Sequence, residues 1–177
     1  MDLTSSIENR RNGGPSGTMT TADDTNYIVR VAESDDLLPV LQVLSRADEG
    51  KRPWPTSPTD AERAMWDRMI STDDVTVYIG ELGGEVVATA TFLVLPNVTY
   101  DCRPTAFIEA MVVRTDRRRR GLAMRILDRL LTDARARGCH KIQLLSHKSH
   151  ATDGAHDLYR QAGFSPEAEG FRLYLDD

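Results

Sequence analysis

Residues 112–123 read VVRTDRRRRGLA: an apolar run, Arg114, then four consecutive arginines, Arg117 to Arg120, then Gly121-Leu122-Ala123 at the head of an amphipathic stretch. A strand that feeds a helix through such a loop makes an anion site, because the first helical turn leaves N–H groups unpaired and the helix dipole adds positive charge there. Gly121 and Ala123 carry little side chain, so a phosphate can approach the backbone closely. Guanidinium groups upstream can complete the recognition, since they pair with phosphate oxygens two at a time. The chemistry this suits is binding of a pyrophosphate or nucleotide phosphate. A solvated basic loop would show the same charge; what favours a site is the register, R-x-x-G-x-A at Arg118, Gly121 and Ala123, directly after an apolar strand. In that register Arg114 and Arg117 lie outside the motif and are expected to be solvated.

A second chemical candidate is Glu109, which interrupts the apolar run FIEAMVV near its middle. A carboxylate on a buried strand needs a partner or a purpose. The partner would be an arginine such as Arg103 or Arg114, or the residue is simply exposed where strands splay; the purpose would be acid–base work. His147, His150 and His156 cluster further on, but their spacing forms no recognised metal site, so no metal is expected and one of them could line a substrate pocket instead. Trp54 and Trp66 are expected to be core aromatics.

These residues must be positioned by a fold whose elements can be read from periodicity. Tyr27 to Ala32 alternates as a strand, and Ser34-Asp35-Asp36 then caps an amphipathic helix through Leu37, Leu38, Val40, Leu41, Val43 and Leu44. A loop holding Pro53, Trp54, Pro55 and Pro58 precedes a second helix, opened by Ser57 or Thr59 and running to Ile70. Val75 to Glu81 and Glu85 to Val94 form a hairpin over Leu82-Gly83-Gly84, and Thr105 to Val113 is a third, strongly apolar strand. Gly121 to Arg137 is a helix with Leu122, Ile126, Leu127, Leu130, Leu131 and Ala134 on one face, ended by Gly138. Lys141 to Ser146 reads as a strand, Gly154 to Gln161 as a short helix stopped by Gly163, and Gly170 to Leu175 as a final strand. The order is that of an α/β fold with a mixed sheet.

Composition bounds what such a fold can serve. With 177 residues, 40% hydrophobic, 28% charged and a formal net charge of -5, the chain suits one globular domain over residues 27–177, and its acidic balance argues against nucleic-acid partners. Residues 1–26 are rich in Ser, Thr, Gly, Asn and Asp without apolar periodicity, which predicts a disordered tail. Cys102 and Cys139 are too few for a disulfide framework and suit buried thiols in a reducing cytoplasm. No window is long enough to span a membrane, so a soluble, cytoplasmic protein is expected with no membrane partner.

The R-x-x-G-x-A loop after a strand ending in Val113, together with DLYRQAGF at residues 157–164 and the order of elements from Tyr27 to Leu175, resembles the GNAT superfamily of acyl-CoA-dependent N-acyltransferases. IEAMVV, RGLA and GCHKI are similar to the branch containing glucosamine-6-phosphate N-acetyltransferase. The chain departs from the family pattern in having Arg119 for a frequent glycine, Thr115 for a frequent proline, and Thr152 or Asp153 where many members have Asn.

The resemblance implies a mostly antiparallel mixed sheet splayed between its two central strands, with helices on both faces. It implies acetyl-CoA as co-substrate, with the backbone of Met111, Val112 and Val113 pairing with its pantetheine arm. The N–H groups of Arg119, Arg120, Gly121, Leu122, Ala123 and Met124 would take the pyrophosphate, with Arg118 facing the cofactor and Arg119 and Arg120 as further candidates to do so. A primary amine on a small molecule or peptide would attack the thioester. A lysine-like amine is mostly charged at pH 7, and freeing its base costs about 4–5 kcal/mol, so Glu109 is the candidate base, directly or through a water. Tyr159 corresponds to the tyrosine that protonates the departing sulfur, and a main-chain N–H within Met111 to Val113 would stabilise the oxyanion. A non-catalytic acyl-CoA-binding regulatory module would share the loop without needing Glu109 or Tyr159. A homodimer is open, as dimers are common in the family.

Overall fold

The computed structural model describes residues 26–47 and 53–175. The tail expected over residues 1–26 therefore lies outside the described residues, apart from Asn26. Strand β1 (Tyr27–Val31) leads through a short turn to helix α1 (Leu37–Ala47), and α2 (Asp60–Ile70) follows after the proline-rich loop. Thr59 is the cap of α2: its hydroxyl accepts the Glu62 N–H at 3.2 Å while the Glu62 carboxylate accepts the Thr59 N–H at 2.7 Å. Strands β2 (Val75–Leu82), β3 (Glu85–Leu95) and β4 (Thr105–Val113) come next, then α3 (Leu122–Ala136), β5 (Lys141–Leu144) and α4 (Ala155–Gln161). Gly83 and Gly84 make the β2–β3 turn with φ of 60° and 85°, the left-handed pair that a tight hairpin requires.

The five strands form one sheet in chain order, with antiparallel neighbours from β1 to β4 and a parallel β4–β5 pair. On one face, Leu122, Ile126, Leu127, Leu130 and Ala134 of α3 pack with Tyr27, Tyr78, Phe92, Ala106 and Ile108 of the sheet. On the other, Leu37 and Val40 of α1 and Trp66 of α2 meet Val77 and Ile79. Trp66 is core as expected, its indole N–H donating to the Glu33 carbonyl at 3.2 Å. Trp54 is exposed instead, with the Arg46 guanidinium 4.7 Å from its ring centre.

A second expectation also fails. Gly170 to Leu175 forms no strand, and Phe171, Leu173, Tyr174 and Leu175 are 76–89% exposed. The alternation in that segment is real, but alternation becomes a strand only where a neighbour offers hydrogen bonds, and no described strand pairs with it.

The sheet also carries the helix that bears the anion loop. The Tyr27 ring is buried over β2, where a Cβ on Gly80 would lie 1.9 Å from the Tyr27 hydroxyl oxygen. That hydroxyl donates to the Leu122 carbonyl at 3.3 Å, and the Arg125 guanidinium stacks 4.8 Å from the ring centre. Gly80→Ala must therefore displace the residue that ties the start of α3 to the sheet. We expect a loss of about 1–3 kcal/mol by overpacking, measured by denaturant or thermal unfolding; unchanged stability would mean that Tyr27 has room to move.

Candidate active site

Strand β5 pairs along its whole length with the start of β4, from Thr105↔Lys141 to Ile108↔Leu144. Beyond Ile108, β4 continues for Glu109 to Val113 while β5 ends, so among the described residues that edge of β4 has no strand beside it. The divergence is reinforced by a bulge. Thr91 pairs with Glu109 and Thr89 with Val112, so β4 holds one residue more than β3 across this interval, and Ala110 takes a φ of 47°. A bulge of this kind bends its strand and re-aims the side chains. It puts Glu109 on the surface at the fork and turns Met111 and Val113 towards the α3 side of the core.

The fork opens towards the arginine loop. Arg114 follows β4, its N–H donating to the Val87 carbonyl at 2.8 Å, and a short 3-10 turn spans Thr115–Arg117. The Arg114 guanidinium is only 13% exposed; it bonds Asp116 at 2.7 and 3.1 Å and grips both oxygens of Glu85 at the β2–β3 hairpin. Those hydrogen bonds hold the Glu85 and Asp116 carboxyls below the usual carboxylate range. Arg117 lies beside the same two acids at 3.8 and 3.7 Å. The expectation that Arg114 and Arg117 are only solvated is thus corrected: together with two acids they brace the loop. The rest of the run faces elsewhere. Arg118 donates from Nε to the Val113 carbonyl at 3.1 Å, Arg119 is exposed, and Arg120 is half-buried.

Gly121 begins α3 with a φ of 75°, and no side chain caps the helix. The first helical bond runs from the Arg125 N–H to the Gly121 carbonyl at 3.3 Å, so the N–H groups of Leu122, Ala123 and Met124 precede it. A Cβ at Gly121 would meet nothing within 4 Å, which leaves the space beside these amides open. Leu122 can contribute only its backbone, because its side chain is buried in the core; Ala123 and Met124 are half-buried. The site thus offers backbone donors, helix dipole and arginine charge at one opening, as an anionic phosphate group needs.

Tyr159 reaches the same region from the other side. It lies on α4, half-buried, and packs against the same buried cluster as Met111 and Val113 of β4 and Leu144 of β5. Phe164 meets the ring edge-on, at 6.1 Å between centres. Burial and then the negative charge of Asp153 push the Tyr159 hydroxyl above its ordinary pKa, so it is held as a proton donor. Asp153 itself sits just before the left-handed Gly154 that starts α4. Burial works to raise its carboxyl, but the His150 ring at 2.7 Å, the Ala155 N–H at 3.0 Å and the charge of Arg118 outweigh that and hold it below the usual range.

The other candidates separate cleanly. Glu109 pairs with neither arginine proposed for it: Arg103 bonds the Gly138 and Cys139 carbonyls, and Arg114 is taken by Glu85 and Asp116. Its Oε2 accepts only the neighbouring Ala110 N–H at 3.2 Å among the described residues. Arg172, on the C-terminal segment, feels the Glu109 charge. His147 bonds Ser149 and His150 bonds Asp153, whereas His156 Nε2 is buried with no hydrogen-bond partner among the described residues. Among the described residues no group of three His, Cys, Asp or Glu is arranged to hold a metal, and no helix is long and apolar enough to cross a membrane. Cys102 is exposed and Cys139 half-buried, so the expectation of two buried thiols holds only in part. The Arg114 brace and Asp153 were missed as functional residues. The pairing of Arg114 with Glu85 spans 29 residues and leaves no local mark, while Asp153 was visible as the residue standing where Asn is frequent.

A family model described as the acetyltransferase (GNAT) family matches residues 39–164, a span that contains the fork, the loop and Tyr159. The chain belongs to the GNAT acetyltransferase family. It is an acetyl-CoA-dependent N-acetyltransferase with the mixed, forked sheet of that fold. A protein from Agrobacterium tumefaciens str. C58, provisionally described as an acetyltransferase, is 31% identical with a TM-score of 0.73, over 83% of this chain and 99% of that one. The glucosamine-6-phosphate N-acetyltransferase of Arabidopsis thaliana shares the fold at 20% identity and a TM-score of 0.70, over 85% and 99% of the two chains. A predicted acetyltransferase from Clostridium acetobutylicum, solved with acetyl-CoA, does so at 24% identity and a TM-score of 0.64, over 84% and 96%. No curated protein matches the sequence.

Proposed function

We propose that this acetyltransferase moves an acetyl group from acetyl-CoA to a primary amine, on a small molecule or a peptide, by direct attack on the thioester. The observation that carries the reading is the fork: the β4 edge from Glu109 to Val113 has no strand beside it among the described residues, the start of α3 that follows it carries no side-chain cap, and Tyr159, whose hydroxyl is held protonated, packs on the same core cluster as Met111 and Val113. The amides of the α3 first turn and Arg118 suit the pyrophosphate, and the free edge of β4 suits the amide groups of a pantetheine arm, which can bond it as an added strand would. The acetyl-CoA bound to the Clostridium acetobutylicum neighbour and the amino sugar phosphate in the name of the Arabidopsis one support this chemistry.

In this mechanism Glu109 accepts a proton from the incoming ammonium, directly or through a water, so that a neutral amine attacks. A main-chain N–H of Met111 to Val113 stabilises the tetrahedral oxyanion. Tyr159 gives its proton to the sulfur as the C–S bond breaks, and the second proton on the attacking nitrogen passes to the tyrosinate, directly or through water, leaving an amide and a free thiol while Glu109 returns its proton to solvent.

The test is thiol release from acetyl-CoA across a panel of amines, run on the wild type and on Glu109→Gln. Thiol should appear only with a suitable amine, and Glu109→Gln should lower kcat/KM about 100-fold or more near pH 7, in the range of general-base effects. The deficit should shrink as pH rises towards the amine's own pKa, where the free base needs no help. A deficit independent of pH would assign Glu109 a structural role, and binding of acetyl-CoA without turnover of any amine would favour the non-catalytic module.

A further inference from the structure

We propose that Arg172 binds an anionic group on the acceptor, so that this acetyltransferase selects amines carrying a carboxylate or phosphate over plain amines. The inference rests on the acetyl transfer proposed above, with Glu109 meeting the ammonium, and names the class of acceptor. It starts from where the C-terminal segment lies. Ile108 and Leu144 are the last paired residues of β4 and β5, so Glu109 and Leu145 are the first positions on the two arms of the fork. Gly170 packs against Leu145: a Cβ on it would lie 2.8 Å from Leu145 Cδ2. Arg172 follows two residues later, at most about 7 Å of chain, and its guanidinium is near enough to feel the Glu109 charge. The segment that forms no strand therefore runs beside the mouth of the fork.

Arg172 is oriented there. Its Nη1 donates to the Tyr174 hydroxyl at 3.1 Å, with the guanidinium carbon 5.8 Å from the centre of that ring. Among the described residues no carboxylate bonds it, and Glu109 accepts only the Ala110 N–H. The mouth of the fork thus holds a carboxylate and a guanidinium that sense each other without pairing, both exposed. A molecule with an ammonium and an anionic group satisfies both charges at once. A plain amine satisfies Glu109 but brings its own positive charge towards Arg172, and such repulsion is a source of selectivity. A guanidinium suits a carboxylate or a phosphate, because it can bond two oxygens of either.

The experiment measures kcat and KM by thiol release for matched acceptors on the full-length wild type, Arg172→Gln and Arg172→Glu. The pairs are amino acids against their carboxamides, which test a carboxylate, and amino sugar phosphates against the amino sugars, which test a phosphate. Comparing each variant with the wild type on the same acceptor cancels differences in amine basicity. Arg172→Gln should raise KM for the anionic member of the responding pair about 5–20-fold, between an exposed ion pair and a charge-assisted hydrogen bond, with kcat within about 3-fold. For the anion-free member KM should fall, because a positive neighbour of the incoming ammonium is gone. Arg172→Glu should reverse the wild-type preference within that pair. Which pair responds tells carboxylate from phosphate. A preference that survives both substitutions overturns the assignment, and so does an equal rise in KM for both members, which makes Arg172 a structural part of the mouth. Wild-type turnover confined to amines without an anionic group overturns it as well. If the wild type releases thiol with no amine at all, the acetyl transfer itself is wrong, an outcome distinct from these.

Discussion

Gly121→Asp is expected to fold normally and to lose acetyl-CoA. The folded protein tolerates the new side chain, because a β-carbon at Gly121 meets nothing within 4 Å and aspartate accepts a left-handed φ of 75° better than most residues. A carboxylate there even suits the uncapped start of α3, where it can accept the free amides and complement the helix dipole. That is why it excludes the ligand: the donors that would take the pyrophosphate are satisfied internally, and a negative charge stands where phosphate must approach. Two unit charges at 4 Å repel by about 4 kcal/mol at the effective dielectric of a protein surface. Even half of that, with the lost hydrogen bonds, weakens acetyl-CoA about 100-fold or more. The measurement is thermal stabilisation by acetyl-CoA, which for the wild type at a hundredfold excess over Kd amounts to about 2.7 kcal/mol. In Gly121→Asp that stabilisation should vanish while the ligand-free melting temperature holds. Gly121→Asn, of similar size but neutral, should fall between the two. Stabilisation of Gly121→Asp equal to that of the wild type would remove the head of α3 as the phosphate site.

The parts of this site written in local sequence were legible from it, and the parts assembled by distant contacts were not. The anion loop is local: a strand, a glycine and the first turn of a helix within twelve residues, so its register could be read directly. The capping box of α2 is equally local, since Thr59 and Glu62 are three residues apart. The fork is different. It depends on β5 stopping at Leu144 although apolar residues continue to Leu145, and on an extra residue in β4 beside Ala110, which has no distinguishing side chain. The role of Arg114 was misjudged for the same reason, because its partner Glu85 comes from a hairpin brought alongside by the antiparallel sheet. Gly170 to Leu175 shows the converse error: a pattern with the right period but no neighbouring strand to complete it.

Tyr159→Phe should lower kcat about 100-fold or more while leaving KM for acetyl-CoA within about 3-fold, the pattern of an interaction made only in the transition state. The ring keeps its packing against Phe164 and the α3 face of the core, so the substitution removes an oxygen and little else. No described residue bonds that hydroxyl, and its removal leaves no orphaned partner inside the fold, which keeps the stability change within about 1 kcal/mol. The raised pKa decides the pH behaviour. Burial and the charge of Asp153 both favour the neutral phenol, so the proton donor persists above the ordinary tyrosine value and the wild-type rate should not fall between pH 7 and about 9.5 for want of it. A phenol is already a weaker acid than the thiol it serves, which has a pKa of about 8.5, and the shift widens that gap. Complete proton transfer to sulfur is therefore uphill even once the C–S bond is broken, and most so before it, so the phenol acts late, as negative charge accumulates on the leaving group. A donor acting that late matters most for poor leaving groups. Acyl donors with more acidic thiols should consequently lose less from Tyr159→Phe than acetyl-CoA does. A uniform loss across thiols of different acidity would place Tyr159 in substrate positioning, and an unchanged kcat would assign the proton to solvent.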